Sequence, residues 1–144
     1  MAHKGRSIHV AGVQHGAPFP FGARVGNMIF SSGILGADPS TGKVPEDLES
    51  QCEFAFGNMK AMVENAGGDI SGIGKITVYM KDRSQRDAVN KPWLAMFPDE
   101  DDRPEKPKRL LVRSSSCNRK VNSWRPTGLI TIIWNGVIPI TLRY

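Results

Sequence analysis

The sequence lacks the features that would assign it to several familiar classes of protein. Only Cys52 and Cys117 occur among 144 residues, with no CxxC pair and no histidine at metal-binding spacing from either. No apolar run approaches the roughly 18 residues that a membrane helix needs. Residues 1–10 carry charge but no apolar segment of the kind found in secretory signals. We therefore expect a protein of the reducing cytoplasm, without a membrane partner.

Histidine is also scarce. All three histidines, His3, His9 and His15, lie in the first fifteen residues, and the last two are six positions apart. We interpret them as surface groups, and we expect no metal site.

Acidic residues almost disappear from the last third of the chain. Residues 1–102 carry ten Lys/Arg and thirteen Asp/Glu, whereas residues 103–144 carry nine Lys/Arg and a single acid, Glu105. Such an asymmetry can mark a tail that binds nucleic acid. The tail has no RNA-recognition motif, however, so we interpret its charge as a solvated surface and expect no nucleic-acid partner.

The composition that remains is that of one ordinary globular domain over residues 1–144, with 40% apolar and 23% charged residues. Apolar and polar residues alternate at 7–11, which predicts a short strand. Two further strands, at 23–25 and 28–32, flank Gly26-Asn27, which is typical of a hairpin. Residues 38–42, Asp-Pro-Ser-Thr-Gly, predict a turn.

Helical periodicity follows these strands. Apolar residues recur every three or four positions from 47 to 66, and Gly67-Gly68 comes next, so one amphipathic helix is predicted. Met59 and Met62 in its stripe are assigned to the core. A strand is predicted at 75–80. A second helix is predicted to begin at Ser84, with Trp93 as its anchor and a kink or a late start at Pro92.

Two more strands, at 109–114 and 129–134, would complete a sheet that both helices cover on one face. The predicted fold class is therefore α+β, with a mixed or antiparallel sheet.

Four sequence blocks, taken in order, resemble a known family. They are APFPFGARVGN, MIFSSGILGADPSTGKVPEDLESQ, NMKAMVENAGGDISGIGKITVYMKD and AVNKPWLAMFPDEDDRP. Together they cover residues 17–104 and resemble the Rid/YjgF family of reactive imine deaminases. Residues 105–144 diverge from the family pattern.

The resemblance implies a chorismate-mutase-like α+β fold and a homotrimer with active sites between subunits. The implied reaction is hydrolysis of 2-imino acids, such as 2-iminobutanoate and 2-iminopropanoate, to 2-oxo acids and ammonia. The implied partner is therefore a small 2-imino or 2-oxo acid, and no cofactor is implied.

The family's site residues map unevenly onto this sequence. Ser32 and Gly33 match the strand end that contacts substrate, and Asn90 matches the asparagine of the Val-Asn helix. Phe19 stands where many members have tyrosine, so the aromatic wall is kept without its hydroxyl.

The arginine that binds the substrate carboxylate has two candidate replacements. In strict register Lys106 takes its place, and lysine keeps the charge but not the bidentate fork. Pro107-Lys108-Arg109 then repeats the Pro-x-Arg pattern, which favours Arg109.

The late acid that orders water in the family has no equivalent, because Glu105 is the last acidic residue. The final segment is either a diverged pair of strands, a different tail, or the product of a frame shift near Glu105. Three functions therefore remain open: an active imine deaminase, a trimer that binds small ligands without turnover, and RNA binding or cleavage through the basic tail.

Overall fold

A computed structural model describes residues 7–14, 18–80, 82–104, 109–111 and 131–133, the last two segments through their backbone. The elements run in the order β1 (Ser7–Ile8), β2 (Gly22–Val25), β3 (Met28–Ser31), β4 (Ile34–Leu35), α1 (Leu48–Asn65), β5 (Thr77–Met80), α2 (Arg86–Met96), β6 (Arg109–Leu111) and β7 (Thr131–Ile133). Short 3-10 turns at Ile70–Gly72 and Arg83–Gln85 precede β5 and α2.

The predicted hairpin is present. β2 and β3 pair antiparallel, with Val25 opposite Met28 across the turn, and Gly26 adopts a positive φ of 61°. That conformation is easily reached only by a residue without a Cβ. β1 pairs antiparallel with β2 and extends this first sheet to three strands. It is shorter than predicted and ends at Ile8.

The second sheet has the strand order β4-β7-β5-β6. β5 and β6 run parallel, whereas β7 pairs antiparallel with both β4 and β5, so the sheet is mixed as predicted. The strands expected at 109–114 and 129–134 appear as β6 and β7, three residues each. The other residues of those two predicted strands lie outside the described part of the chain.

The chain passes from the first sheet to the second at Ser32-Gly33. The sequence predicts a strand that ends at Gly33, but β3 ends at Ser31 and pairing resumes immediately as β4. The prediction missed β4 because two residues are too few to show a period.

Helix α1 occupies nearly the whole predicted span. The carboxylate of Asp47 accepts the backbone N–H of Ser50 at 2.7 Å and so caps the N-terminus. Gly67 follows the C-terminus with a φ of 79°, as the glycine pair predicts. The apolar stripe is buried, and Met59 and Met62 belong to the core as assigned.

Helix α2 begins differently from the prediction. Ser84 does not open it; Asp82 instead accepts the backbone N–H of Ser84 at 2.8 Å and caps the 3-10 turn before Arg86. The hydroxyl of Ser84 donates to the same carboxylate at 2.8 Å, so it turns toward Asp82 and does not cap α2. The helix then continues through Pro92 to Met96.

Helix α2 packs on α1 through aromatic side chains. The rings of Trp93 and Phe56 meet edge to face with centroids 6.3 Å apart, and Phe97 lies 5.1 Å from Trp93. Trp93 is thus a helix anchor, as expected. The α+β fold class is confirmed. Among the described residues, no helix is both long enough and apolar enough to cross a bilayer.

Candidate functional site

The junction between the two sheets holds two of the predicted site residues, Ser32 and Gly33. The hydroxyl of Ser32 donates to the carbonyl oxygen of Phe21 at 2.7 Å, and its backbone N–H donates to the same oxygen at 3.0 Å. One carbonyl therefore ties the strand end to the loop that carries Phe19. The partly exposed junction is fixed by hydrogen bonds from both backbone and side chain.

The aromatic wall predicted at Phe19 borders an open cleft of about 850 Å³. The ring of Phe19 is 51% exposed, which is unusual for so large an apolar side chain. The cleft lies between β1 with its following turn and the loop from Pro18 to Phe21, and the end of α1 reaches it through Asn65. Its size suits a small organic ligand.

Four polar residues line this cleft together with Phe19. They are Ser7, His9, Gln14 and Asn65. The amide of Asn65 donates to the backbone carbonyl of His9 at 2.9 Å, which fixes β1 against the helix end. Sequence reasoning took His9 for a surface group; the side chain is exposed, but it lines the cleft. The alternation predicted for residues 7–11, with Ile8 and Val10 as the apolar positions, is the sequence signal for its outward position.

Asn90, the third predicted substrate-binding position, lies on α2. It is partly buried beside the core residue Val89, and its amide donates to the carboxylate of Asp87 at 3.3 Å. Asn90 therefore lies on a different element from Ser32 and Gly33. The three residues belong to one site only if a single ligand contacts both the helix face and the strand end.

The structure describes the two candidate carboxylate anchors to different extents. Arg109 opens β6, where its backbone is the partner of Val78 in the central strand β5. Lys106 lies outside the described residues, and so does the side chain of Arg109. The choice between them stays a prediction from sequence.

Arg103 precedes these anchors and has a structural function. Its guanidinium donates to the carbonyl oxygens of Phe97 and Pro98, each at 3.0 Å, and lies 3.6 Å from the carboxylate of Glu100. These carbonyl groups lie at the C-terminal end of α2, where a positive charge is favoured. Arg103 thus folds the acidic loop over the helix end.

Cys52 is unsuited to nucleophilic chemistry. It is fully buried in α1, and this burial, reinforced by the charges of Glu49 and Glu53, raises the pKa of its thiol to about 12. A thiol of that pKa is protonated at neutral pH and therefore inert. Within the described segments, no three His, Cys, Asp or Glu side chains are grouped as metal ligands would be.

Comparison with known families gives one match over most of the chain. The family described as Endoribonuclease L-PSP matches residues 13–122. A RutC family protein of Pasteurella multocida is 37% identical over 104 residues, which are 72% of this chain and 80% of that protein.

A 2-iminobutanoate/2-iminopropanoate deaminase of Escherichia coli strain K12 is 40% identical over 80 residues. That match covers 56% of this chain and 62% of the deaminase, which is less than two thirds of its length.

Solved structures agree with the sequence matches. RidA from a Psychrobacter species has a TM-score of 0.65 at 25% identity, over 90% of this chain and 98% of that one. The YjgF gene product of E. coli has a TM-score of 0.65 at 28% identity, with the same coverage.

Proposed function

Because the chain belongs to the Endoribonuclease L-PSP family, which is the Rid/YjgF family recognised in its sequence, we propose that it hydrolyses small 2-imino acids to 2-oxo acids and ammonia. The substrates would resemble 2-iminobutanoate and 2-iminopropanoate. The E. coli relative named for these two compounds supports the substrate class, and its partial coverage leaves the activity of this chain a proposal.

One observation carries the proposal: the strand end with Ser32 and Gly33 is tied to the Phe19 loop through the carbonyl of Phe21. An imine is already electrophilic, so an enzyme needs to orient it and water and to manage protons, and needs no strong nucleophile. Ser32 and Gly33 do not line the cleft themselves, but the hydrogen bonds from Ser32 hold the Phe19 loop that borders it, and a loop held in this way supports the orientation of a substrate.

The substrate carboxylate requires a cation. We assign this role to Arg109 in preference to Lys106, because a guanidinium binds a carboxylate through two parallel hydrogen bonds whereas an ammonium is a point charge. Asn90 is assigned a polar contact to the substrate from α2.

We further propose that the functional unit is a homotrimer with sites between subunits. The outer face of the β2–β3 hairpin supports self-association. Its pairs Ala23–Phe30 and Val25–Met28 place four apolar side chains on the face opposite the buried Ile29, and Val25 and Phe30 are 42% and 40% exposed. A clustered apolar face of this kind commonly marks a protein interface.

The activity is tested by generating the imine in place. A PLP-dependent dehydratase acting on threonine or serine releases the imino acid, and the oxo acid is measured as it forms. We expect the purified chain to accelerate oxo acid release in proportion to its concentration. The same chain after heat denaturation serves as control, and an unchanged rate with the folded chain would refute the proposal.

A second candidate is binding of 2-oxo acids without turnover. It is favoured by one feature of the sequence: no acid follows Glu105, so water has no late carboxylate to order it. This candidate predicts that 2-oxobutanoate raises the unfolding temperature of the chain while the dehydratase-coupled rate does not change.

A further inference from the structure

We propose that His9 transfers protons in the cleft beside Phe19, as an acid and base for imine hydrolysis in this chain. The inference deepens the proposed function and rests on it. The sequence has no acid after Glu105, so its last segment lacks the carboxylate that orders water in the family. His9 is a titratable group in another part of the chain.

The direction of the His9 side chain follows from the burial of its neighbours. Ile8 and Val10, on either side of it, are 5% and 6% exposed and belong to the core. Ser7 and His9 are exposed, and both line the cleft of about 850 Å³ that Phe19 borders.

The backbone that carries His9 is held in place. Its carbonyl oxygen accepts the amide of Asn65 at 2.9 Å, and the following turn is closed by the N–H of Val13, which donates to the carbonyl of Val10 at 3.2 Å. Gly12 in that turn packs directly on the backbone of Pro39, where a Cβ would collide with the carbonyl oxygen. A fixed backbone with an exposed imidazole suits a group that must meet a ligand repeatedly.

His9 is also the one titratable side chain among the described lining residues. The other eleven carry no titratable or charged side chain; they are Ser7, Val10, Ala11, Gly12, Val13, Gln14, Pro18, Phe19, Pro20, Phe21 and Asn65. Imidazole serves as both acid and base in that range. Proton transfer within this cleft is therefore assigned to His9.

The reaction can be written with His9 returning to its starting state. The imidazolium gives its proton to the imine nitrogen, water adds to the carbon to form the C–O bond, and the imidazole takes the proton that this oxygen releases. The imidazolium then protonates the amino group of the carbinolamine. The C–N bond breaks as the hydroxyl becomes a carbonyl, ammonia leaves, and the hydroxyl proton returns to the imidazole. The net reaction consumes one imine and one water.

The proposal is tested with His9→Ala and His9→Gln in the dehydratase-coupled assay. Both should lower kcat by about 100-fold while KM changes by less than about threefold, because general acid–base catalysis contributes about that much. Added imidazole should restore part of the rate of His9→Ala, since the truncation leaves room for it in an open cleft. A reaction without the chain corrects for imidazole acting in solution.

The matched control is Lys43→Gln, which changes an exposed, charged side chain outside the cleft and should match wild type with or without imidazole. Equal unfolding temperatures would show that both His9 variants are folded. Variants as fast as an active wild type, a change in KM alone, or failure of imidazole to restore His9→Ala would each overturn the role of His9. A folded wild type without turnover would overturn the proposed function and this role with it.

Discussion

The carbonyl oxygen of Phe21 accepts two hydrogen bonds from Ser32, one from the hydroxyl at 2.7 Å and one from the backbone N–H at 3.0 Å. This pair of bonds joins the point where the chain changes sheets to the loop that carries Phe19. Two of the four sequence blocks that resemble the family are thus connected directly in space.

Removing the hydroxyl in Ser32→Ala leaves only the backbone bond. We expect a loss of about 1 kcal/mol in the free energy of unfolding, the usual net value of one hydrogen bond, and a fall of about tenfold in kcat/KM. Urea denaturation and the coupled assay measure the two effects. Ser84→Ala removes an exposed hydroxyl bond to Asp82 outside the cleft; it is the control for activity and should leave kcat/KM unchanged. Unchanged activity in a destabilised Ser32→Ala would make the bond purely structural.

Phe19→Tyr tests the aromatic wall. Because the ring is half exposed beside the cleft, a para hydroxyl can be added without displacing core residues. The family pattern has tyrosine here, so the variant should raise kcat several-fold through a new hydrogen bond. Phe54→Tyr adds the same hydroxyl at a partly exposed ring on α1, outside the cleft, and should leave kcat unchanged. A lower kcat for Phe19→Tyr would contradict the assignment of Phe19 to the site.

The contact between the helices is tested at Trp93. Replacing Trp93 by alanine removes its packing against Phe56 and Phe97 and should cost about 3–5 kcal/mol of unfolding free energy. The neighbouring Leu94 is 50% exposed, so Leu94→Ala should stay within about 0.5 kcal/mol of wild type. Chemical denaturation measures the unfolding free energy of both variants, and equal losses would contradict the packing of Trp93 against Phe56 and Phe97.

The sequence predicted the helices and the hairpin because each has a strong local signal: the stripe of α1 with Gly67 behind it, and Gly26-Asn27 between two strands. It missed β4 and misassigned the cap of α2, where two residues and a single carboxylate decide the local structure. The cleft could not be predicted, because it depends on how the Phe19 loop folds back on residues 7–14 and meets Asn65 at the end of α1, which is distant from both in sequence.

The anchor assignment is tested by comparing Arg109→Lys with Lys106→Ala. If Arg109 holds the substrate carboxylate, its replacement by lysine keeps the charge and loses the fork, so KM should rise about tenfold. Lys106→Ala should then change KM by less than about twofold. The reverse pattern in steady-state kinetics would move the anchor to Lys106.

Acid should destabilise the chain through its capping aspartates. Hydrogen bonds hold the pKa of each folded carboxyl below its ordinary value of 3.8; for Asp47 the first cause is the backbone N–H of Ser50, and for Asp82 that of Ser84. A depressed pKa means that this stability is complete above the ordinary value and is lost as pH falls through the folded one.

The measurement is the urea midpoint between about pH 6 and about pH 2.5. It should decline below about pH 4, and Asp47→Asn should show a shallower decline from a lower starting value, because the amide cannot titrate. A variant that declines as steeply as wild type would show that Asp47 contributes nothing to the acid limb.

The central claim, hydrolysis of 2-imino acids, is tested most directly by competition for the imine. Semicarbazide traps free imine as a semicarbazone, so the dehydratase product divides between trapping and hydrolysis. With rising concentrations of the folded chain, we expect the semicarbazone yield to fall and the directly released oxo acid to rise by the same amount. A semicarbazone yield that stays constant at every concentration of folded chain would contradict it.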